Sequence, residues 1–129
     1  MLNKKQILEA NDIEIKVVEI PEWGGKINVK TLTGTERDKF EASIVSVRGK
    51  SQHVNMQNIR AKLCSLCIVD ENGERLFSDA EVGQLGKKSS KPLDRIFDIA
   101  SEMSGITKKD VEALKKTLEM DHSEDFASD

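Results

Sequence analysis

Ile13-Glu14-Ile15-Lys16-Val17-Val18-Glu19-Ile20-Pro21-Glu22-Trp23-Gly24-Gly25-Lys26-Ile27-Asn28-Val29-Lys30 sets the architecture of the N-terminal half. Residues 13 to 20 begin as an apolar/polar alternation, and residues 27 to 30 alternate again, so both read as half-buried strands. Between them, Pro21 cannot donate to a ladder and the paired glycines can take positive φ. The chain therefore reverses, and an antiparallel hairpin is predicted near the N-terminus. The dozen residues before it can form a short, frayed helix, which their sequence alone does not decide.

Downstream the periodicity changes to helical. Thr33-Gly34-Thr35-Glu36 is a capping box, in which the Thr hydroxyl and the Glu carboxylate each satisfy a backbone N–H. It predicts a helix over about 35 to 47, with Phe40, Ile44 and Val47 on one face. Arg48-Gly49-Lys50-Ser51 reads as a polar break, and a second helix is predicted over about Val54 to Leu66, with Ile59, Leu63 and Leu66 as its stripe. Asn72-Gly73, between the short apolar segments at Val69 and Leu76-Phe77, predicts a smaller hairpin with a type I′ turn. Ser78-Asp79-Ala80-Glu81 is another capping box, for a short helix that ends by Gly86. After the basic loop Lys87-Lys88-Ser89-Ser90-Lys91, Pro92 suits the first turn of a helix carrying Leu93, Ile96, Phe97, Ala100 and Met103, with Gly105 as its stop. Thr107 caps a last helix with Val111, Leu114 and Leu118 on one side.

Strands early and helices late make the class α+β: a small antiparallel hairpin sheet packed with four to five α-helices, helix dominating. A single domain is expected over residues 1–118, followed by a disordered acidic tail over 119–129. Residues 1–118 carry 20 basic and 18 acidic side chains, whereas the tail carries five acids and no base, so the net charge of −3 belongs to the tail. With 129 residues the chain is too short for a large multidomain enzyme. Ile, Leu, Val and Phe number 34, enough for a compact aliphatic core. No apolar run reaches membrane-spanning length and no signal peptide is read, so a cytosolic chain with free thiols is expected.

The constellations that carry chemistry elsewhere are incomplete here. Cys64-Ser65-Leu66-Cys67 has the spacing of a zinc or redox pair, but no second pair supplies the other ligands, His53 and His122 are isolated, and the motif falls late in its helix. Two small buried residues are the simpler reading. Around Asn72-Gly73 a calcium loop fails at its first ligand, where Ile68 stands. In Gly83-Gln84-Leu85-Gly86-Lys87-Lys88-Ser89 the glycines are three apart and a second Lys replaces the magnesium-binding hydroxyl, so no phosphate loop is read. Asp94 and Asp98 flank Arg95 and suit surface ion pairs better than acid–base work. No enzyme, metal or cofactor is expected. Lys87, Lys88, Lys91 and Arg95 form a basic cluster that a nucleic acid or an acidic protein could meet, though an ordinary solvated loop explains it as well. Trp23, at the hairpin tip, is either a plug for the local core or an exposed anchor for a partner.

Residues Ile20 to Glu41, Cys67 to Asp79, Leu85 to Ser89 and Leu93 to Phe97 resemble corresponding stretches of the phage tail assembly chaperones of long-tailed phages and prophages, over roughly residues 17 to 118. The resemblance implies a nonenzymatic factor of the infected or induced bacterial cytoplasm, absent from the finished virion. It implies binding to the tape measure protein, keeping it soluble, and recruitment of tail tube protein, in some members through a longer frameshifted form. Self-association is compatible with it, and neither membrane nor nucleic acid is an expected partner. Shielding of apolar tape measure helices would fall to Trp23, Leu93, Ile96, Phe97 and Met103, although the same α-helical stripe also reads as core. A structural minor tail or completion protein retained in the virion is the alternative, and a small nucleic-acid-binding regulator the second.

Overall fold

The structure is a computed structural model that describes residues 1–48, 51–54, 57–107, 109–110 and 112–113. The chain opens with α1 (Lys4–Glu9), then β1 (Ile15–Ile20), β2 (Gly25–Lys30) and α2 (Gly34–Ile44). A hairpin of β3 (Val45–Arg48) and β4 (Ser51–Val54) leads to α3 (Ile59–Cys67), which runs directly into β5 (Ile68–Val69). α4 (Val82–Leu85) and α5 (Ser90–Met103) complete an α+β fold in which helix dominates.

The predicted N-terminal hairpin is present. β1 and β2 pair antiparallel from Ile15↔Lys30 to Ile20↔Gly25. Their connection is a single 3-10 turn, Pro21–Trp23, closed by Gly24 at φ 73°, whose N–H donates to the Pro21 carbonyl at 3.1 Å. Only the first of the paired glycines uses positive φ; Gly25 already belongs to β2. β5 adds to the other edge of β2 through Asn28↔Val69 and Val29↔Ile68, giving the order β1-β2-β5 and leaving β1 at the edge.

Helices α3 and α5 pack together and α5 crosses β2, so the core lies between them and one face of the sheet. It gathers Val18, Ile20, Val29 and Ile68 from the strands, Leu63, Cys64 and Cys67 from α3, and Leu93, Ile96, Phe97 and Ala100 from α5. Phe40 and Ile44 of α2 join it. Removal of such side chains from water is the main favourable term in folding, worth about 1.5–3 kcal/mol for each fully buried Leu, Ile, Val or Phe.

Caps fix the helix starts as the sequence predicts. Thr33 Oγ1 accepts from the Glu36 N–H at 3.1 Å while Glu36 Oε1 accepts from the Thr33 N–H at 2.9 Å. Ser78 and Glu81 form the same reciprocal pair; Asn3 and Gln6 form another ahead of α1, at a helix start that the sequence alone does not decide. Ser89 caps α5, so Ser90 and Lys91 belong to the helix and not to a loop, and Gly105 at φ 74° follows its end. Thr107 and Asp110 bond reciprocally at 3.1 Å, the expected start of a last helix; Val111, Leu114, Leu118 and the acidic tail lie outside the described residues.

Two expectations are corrected. The helix predicted over 35 to 47 ends at Ile44, and the one predicted from Val54 begins at Ile59. Val47 and Val54 are instead in a two-stranded hairpin, with Val45↔Val54 and Arg48↔Ser51 in register. Val47 stands where a helical stripe continuing Phe40 and Ile44 would also place it, but Val45-Ser46-Val47-Arg48 has strand alternation and β-branching, which favour the extended state. The second correction concerns the Asn72-Gly73 turn. Gly73 alone has positive φ, 82°, and its N–H bonds the Asp70 carbonyl at 3.1 Å. Type I′ needs two such residues, so this is a type I-like turn followed by a left-handed glycine. Asp70 Oδ1 holds it by accepting from the N–H groups of Asn72 at 2.8 Å and Glu74 at 3.0 Å. The smaller hairpin itself is present, closed by a bridge between Val69 and Arg75.

Candidate functional site

The C-x-x-C pair is the first place to look for chemistry. Both thiols are free and buried in α3, where Cys64 Sγ approaches the Leu93 carbonyl of α5 at 3.7 Å. Burial, which disfavours the thiolate, pushes Cys67 up to about 12 and raises Cys64 as well. A buried neutral thiol is neither a nucleophile nor a metal ligand. An aromatic disulfide reagent should therefore modify Cys64 and Cys67 at least ~100-fold more slowly in the folded protein than in denaturant; equal rates would place the pair at the surface. Among the described residues, no group of three or more His, Cys, Asp or Glu is placed to hold a metal ion.

The remaining charged constellations are structural ties between elements. Arg95 forks onto Glu22 at 2.7 and 2.8 Å, joining α5 to the hairpin tip, and Arg95's hydrogen bonds hold the Glu22 carboxyl at about 2. That removes Arg95 from the basic cluster, of which Lys87, Lys88 and Lys91 remain exposed. Asp94 pairs with Arg60 of α3. Gly83 and Gly86, the glycines of the incomplete phosphate loop, lie within α4 and at its C-cap. Where β2 meets α2, Lys30 is buried, donating from Nζ to the Thr31 carbonyl at 3.1 Å and forming an ion pair with Glu36.

The residues expected to meet a partner divide between core and surface. Leu93, Ile96 and Phe97 are buried, with Ile96 at 0% exposure, so this stripe of α5 faces the sheet and α3. Trp23 and Met103 are half-buried and pack against the same core, each keeping an exposed edge. Trp23 thus serves partly as the plug for the hairpin tip.

Exposed aliphatic surface lies elsewhere. Among the described residues it falls mostly in the first seventeen: Leu2 at 70%, Ile7 at 58%, Leu8 at 74%, Ile15 at 52% and Val17 at 61%. Nothing in α1 is buried. On β1, Val18 and Ile20 point into the core and Ile15 and Val17 do not. The sequence signals this surface at Val17-Val18, where apolar residues occupy both faces of one strand.

Beside that strand, Glu14, Ile15, Lys16 and Val17 line an open groove of about 790 Å³ together with Ile99, Glu102 and Met103 of α5. A second cavity of about 250 Å³ lies between α2 and α3, where Lys39 and Lys62 flank Phe40 and Leu66. No helix among the described residues is long and apolar enough to cross a membrane.

Comparison with known proteins gives matches of two kinds. A family model described as phage tail assembly chaperone matches residues 3–117. The solved tail assembly chaperone of bacteriophage HK97 superposes with a TM-score of 0.55 at 18% identity, covering 77% of this chain and 90% of that one. No curated protein matches the sequence.

Proposed function

The chain belongs to the phage tail assembly chaperone family, and we propose accordingly that it binds the tape measure protein during tail morphogenesis and keeps it soluble until tube subunits replace it. The family match over residues 3–117 carries this reading. A chaperone role of this kind is nonenzymatic. It acts by covering apolar helical surface before the tail tube does, in the cytoplasm of the bacterial host, and leaves no copy in the finished virion. Recruitment of tail tube protein, through this chain or a longer form of it, completes the role.

Trp23 and Met103 reach the surface as the fold stands and supply the first contact in this reading. Leu93, Ile96 and Phe97 are available to a tape measure helix only if α5 lifts from the sheet, which the Arg95–Glu22 fork opposes. Many moderate contacts suit the task, because the tube later displaces the chaperone.

Coexpression with the phage's own tape measure protein tests the proposal. The tape measure should move from the pellet to the soluble fraction and copurify with this chain, and Trp23→Ala should reduce the copurified amount several-fold. An insoluble tape measure at several truncation lengths would count against the reading, as would abundant copies of this chain in purified virions.

A further inference from the structure

We propose that the pocket between α2 and α3 is a docking site for the chain's own acidic segment, residues 119–129, with Phe126 seated against Phe40 and Leu66 and with Glu124 and Asp125 meeting Lys39 and Lys62. The inference stands apart from tape measure binding, and its test contains this chain alone.

The pocket joins an apolar lining to a basic rim. Phe40 and Leu66, both buried, and Val82, half-buried, supply the apolar part. Its volume of about 250 Å³ falls below the roughly 300 Å³ at which small-molecule pockets begin, and suits one large side chain. Lys39 and Lys62 also line it, and Asp79 is the one carboxylate among the lining residues. That carboxylate is shared. Lys39 and Arg75 both pair with it, and Arg75 also donates to the Ser65 carbonyl in the pocket wall at 3.0 Å. Three cations therefore surround one anion, and Lys62 is the uncompensated one. Its ammonium donates to the Ser43 carbonyl at 3.1 Å and pairs with no carboxylate among the described residues, and burial lowers its pKa. A partly buried cation without a counter-ion, beside apolar surface, is completed by a ligand that brings a carboxylate and an apolar side chain together.

Residues 119–129 have that composition. They carry Glu119, Asp121, Glu124, Asp125 and Asp129 with no Lys or Arg, and Phe126 directly follows two of the acids. A strongly acidic segment thus meets a net basic rim, an arrangement that orients the encounter as well as stabilising it.

The chain beyond α5 passes the start of α2. The Leu32 N–H, just ahead of α2, donates to Ser104 Oγ at 3.0 Å, where α5 ends. Farther on, the Asp110 carboxyl is lowered by its hydrogen bonds with Thr107 and then by the charge of Arg37, in the first turn of α2. Lys39 and Phe40 lie within one turn of Arg37. The stretch from Ala113 to Phe126 spans about 20 Å as a helix and about 45 Å extended, and either exceeds the roughly 16 Å length of α2. Docking within one chain has an effective concentration of about millimolar order, so weak contacts suffice.

Paramagnetic broadening in the full chain tests this. With Cys64 and Cys67 buried, a thiol-specific nitroxide on Ser128→Cys labels a single site. The amide signals of Phe40, Ser43, Lys62 and Leu66 should lose intensity and regain it when the nitroxide is reduced. The effect should weaken as salt approaches about 1 M, where the screening length is about 3 Å. Phe126→Ser and Lys62→Glu should each lower the ratio of docked to free segment about tenfold, the first by removing the apolar anchor and the second by turning attraction into repulsion. Phe126→Ser leaves the described core intact, so its circular dichroism should match the wild type. Adding Asp125→Lys to Lys62→Glu should restore part of the broadening, which a variant that had merely lost its fold would not do. A mixture of labelled chain with unlabelled, isotope-enriched chain should show no broadening. Broadening centred on Lys87, Lys88 and Lys91, broadening nowhere, or an unchanged pattern in Phe126→Ser would overturn the proposal. Broadening in the mixture would overturn it too, by placing the segment on another copy.

Discussion

Ile96→Ala is expected to destabilise the fold by about 3 kcal/mol, because it opens a cavity at one of the most enclosed points of the core. Ile96 has 0% exposure and lies where α5 meets the sheet and α3. Deleting three carbons there forfeits their transfer free energy and leaves a cavity that the closely packed core around it can close only in part. Denaturant titration checks it: the midpoint should fall while the slope stays constant, since the surface exposed on unfolding is nearly unchanged. A loss under about 1 kcal/mol would mean that α5 is not packed as described. The same variant separates the two roles assigned to this stripe. If Ile96 acts only through the core, tape measure solubilisation should decline no faster than the folded fraction.

Lys30→Ala is expected to cost about 2–3 kcal/mol at neutral pH, below the 3–5 kcal/mol typical of breaking a fully buried pair because some solvent reaches both groups. The Lys30 and Glu36 side chains retain 10% and 20% exposure. Removing the ammonium leaves the Glu36 carboxylate with the Thr33 N–H as its remaining partner. Burial by itself would raise the Glu36 carboxyl, but hydrogen bonds from Lys30 and Thr33 and the lysine's charge outweigh it, and the group titrates below its usual value of 4.5. A carboxyl depressed in the folded state contributes stability that is fully present above the unfolded pKa and disappears as pH falls through the folded one. The gap between wild type and Lys30→Ala should therefore be constant near neutrality and narrow below about pH 4.5. A gap independent of pH down to about pH 3 would show that the lysine acts through its aliphatic stem and not through the pair.

Where the chain's local chemistry is self-sufficient, the fold is legible in the sequence. The β1–β2 reversal, the caps at Thr33, Ser78 and Thr107, and the α5 stripe closed by Gly105 each depend on residues within about one turn of one another. Val45 to Val54 misleads because Phe40, Ile44 and Val47 satisfy a helical period while Val45 and Val47 satisfy a strand period, and a short apolar run does not distinguish the two. The Asn72-Gly73 pair gives the place of its turn but not the type. Asp70, by accepting two backbone N–H groups, stabilises an alternative that the Asn-Gly pair alone does not reveal. The candidate contact residues are harder to read, since an amphipathic helix has the same pattern whether its apolar face meets its own sheet or another protein.

Residue pattern alone was enough for the class, for most of the element order with its caps and stops, and for a family resemblance that suggests a role. Three-dimensional packing was needed to show that β5 pairs with β2, that Leu93, Ile96 and Phe97 belong to the core, and that β1 is an edge strand with Ile15 and Val17 uncovered. The difference lies in the range of the interactions. Caps and turns are closed by hydrogen bonds a few residues apart, which side-chain chemistry specifies directly. Burial depends on what residues far away in the chain do, as when Asn28 meets Val69 or Arg95 reaches Glu22, and no local pattern states in advance which of two apolar faces will be covered.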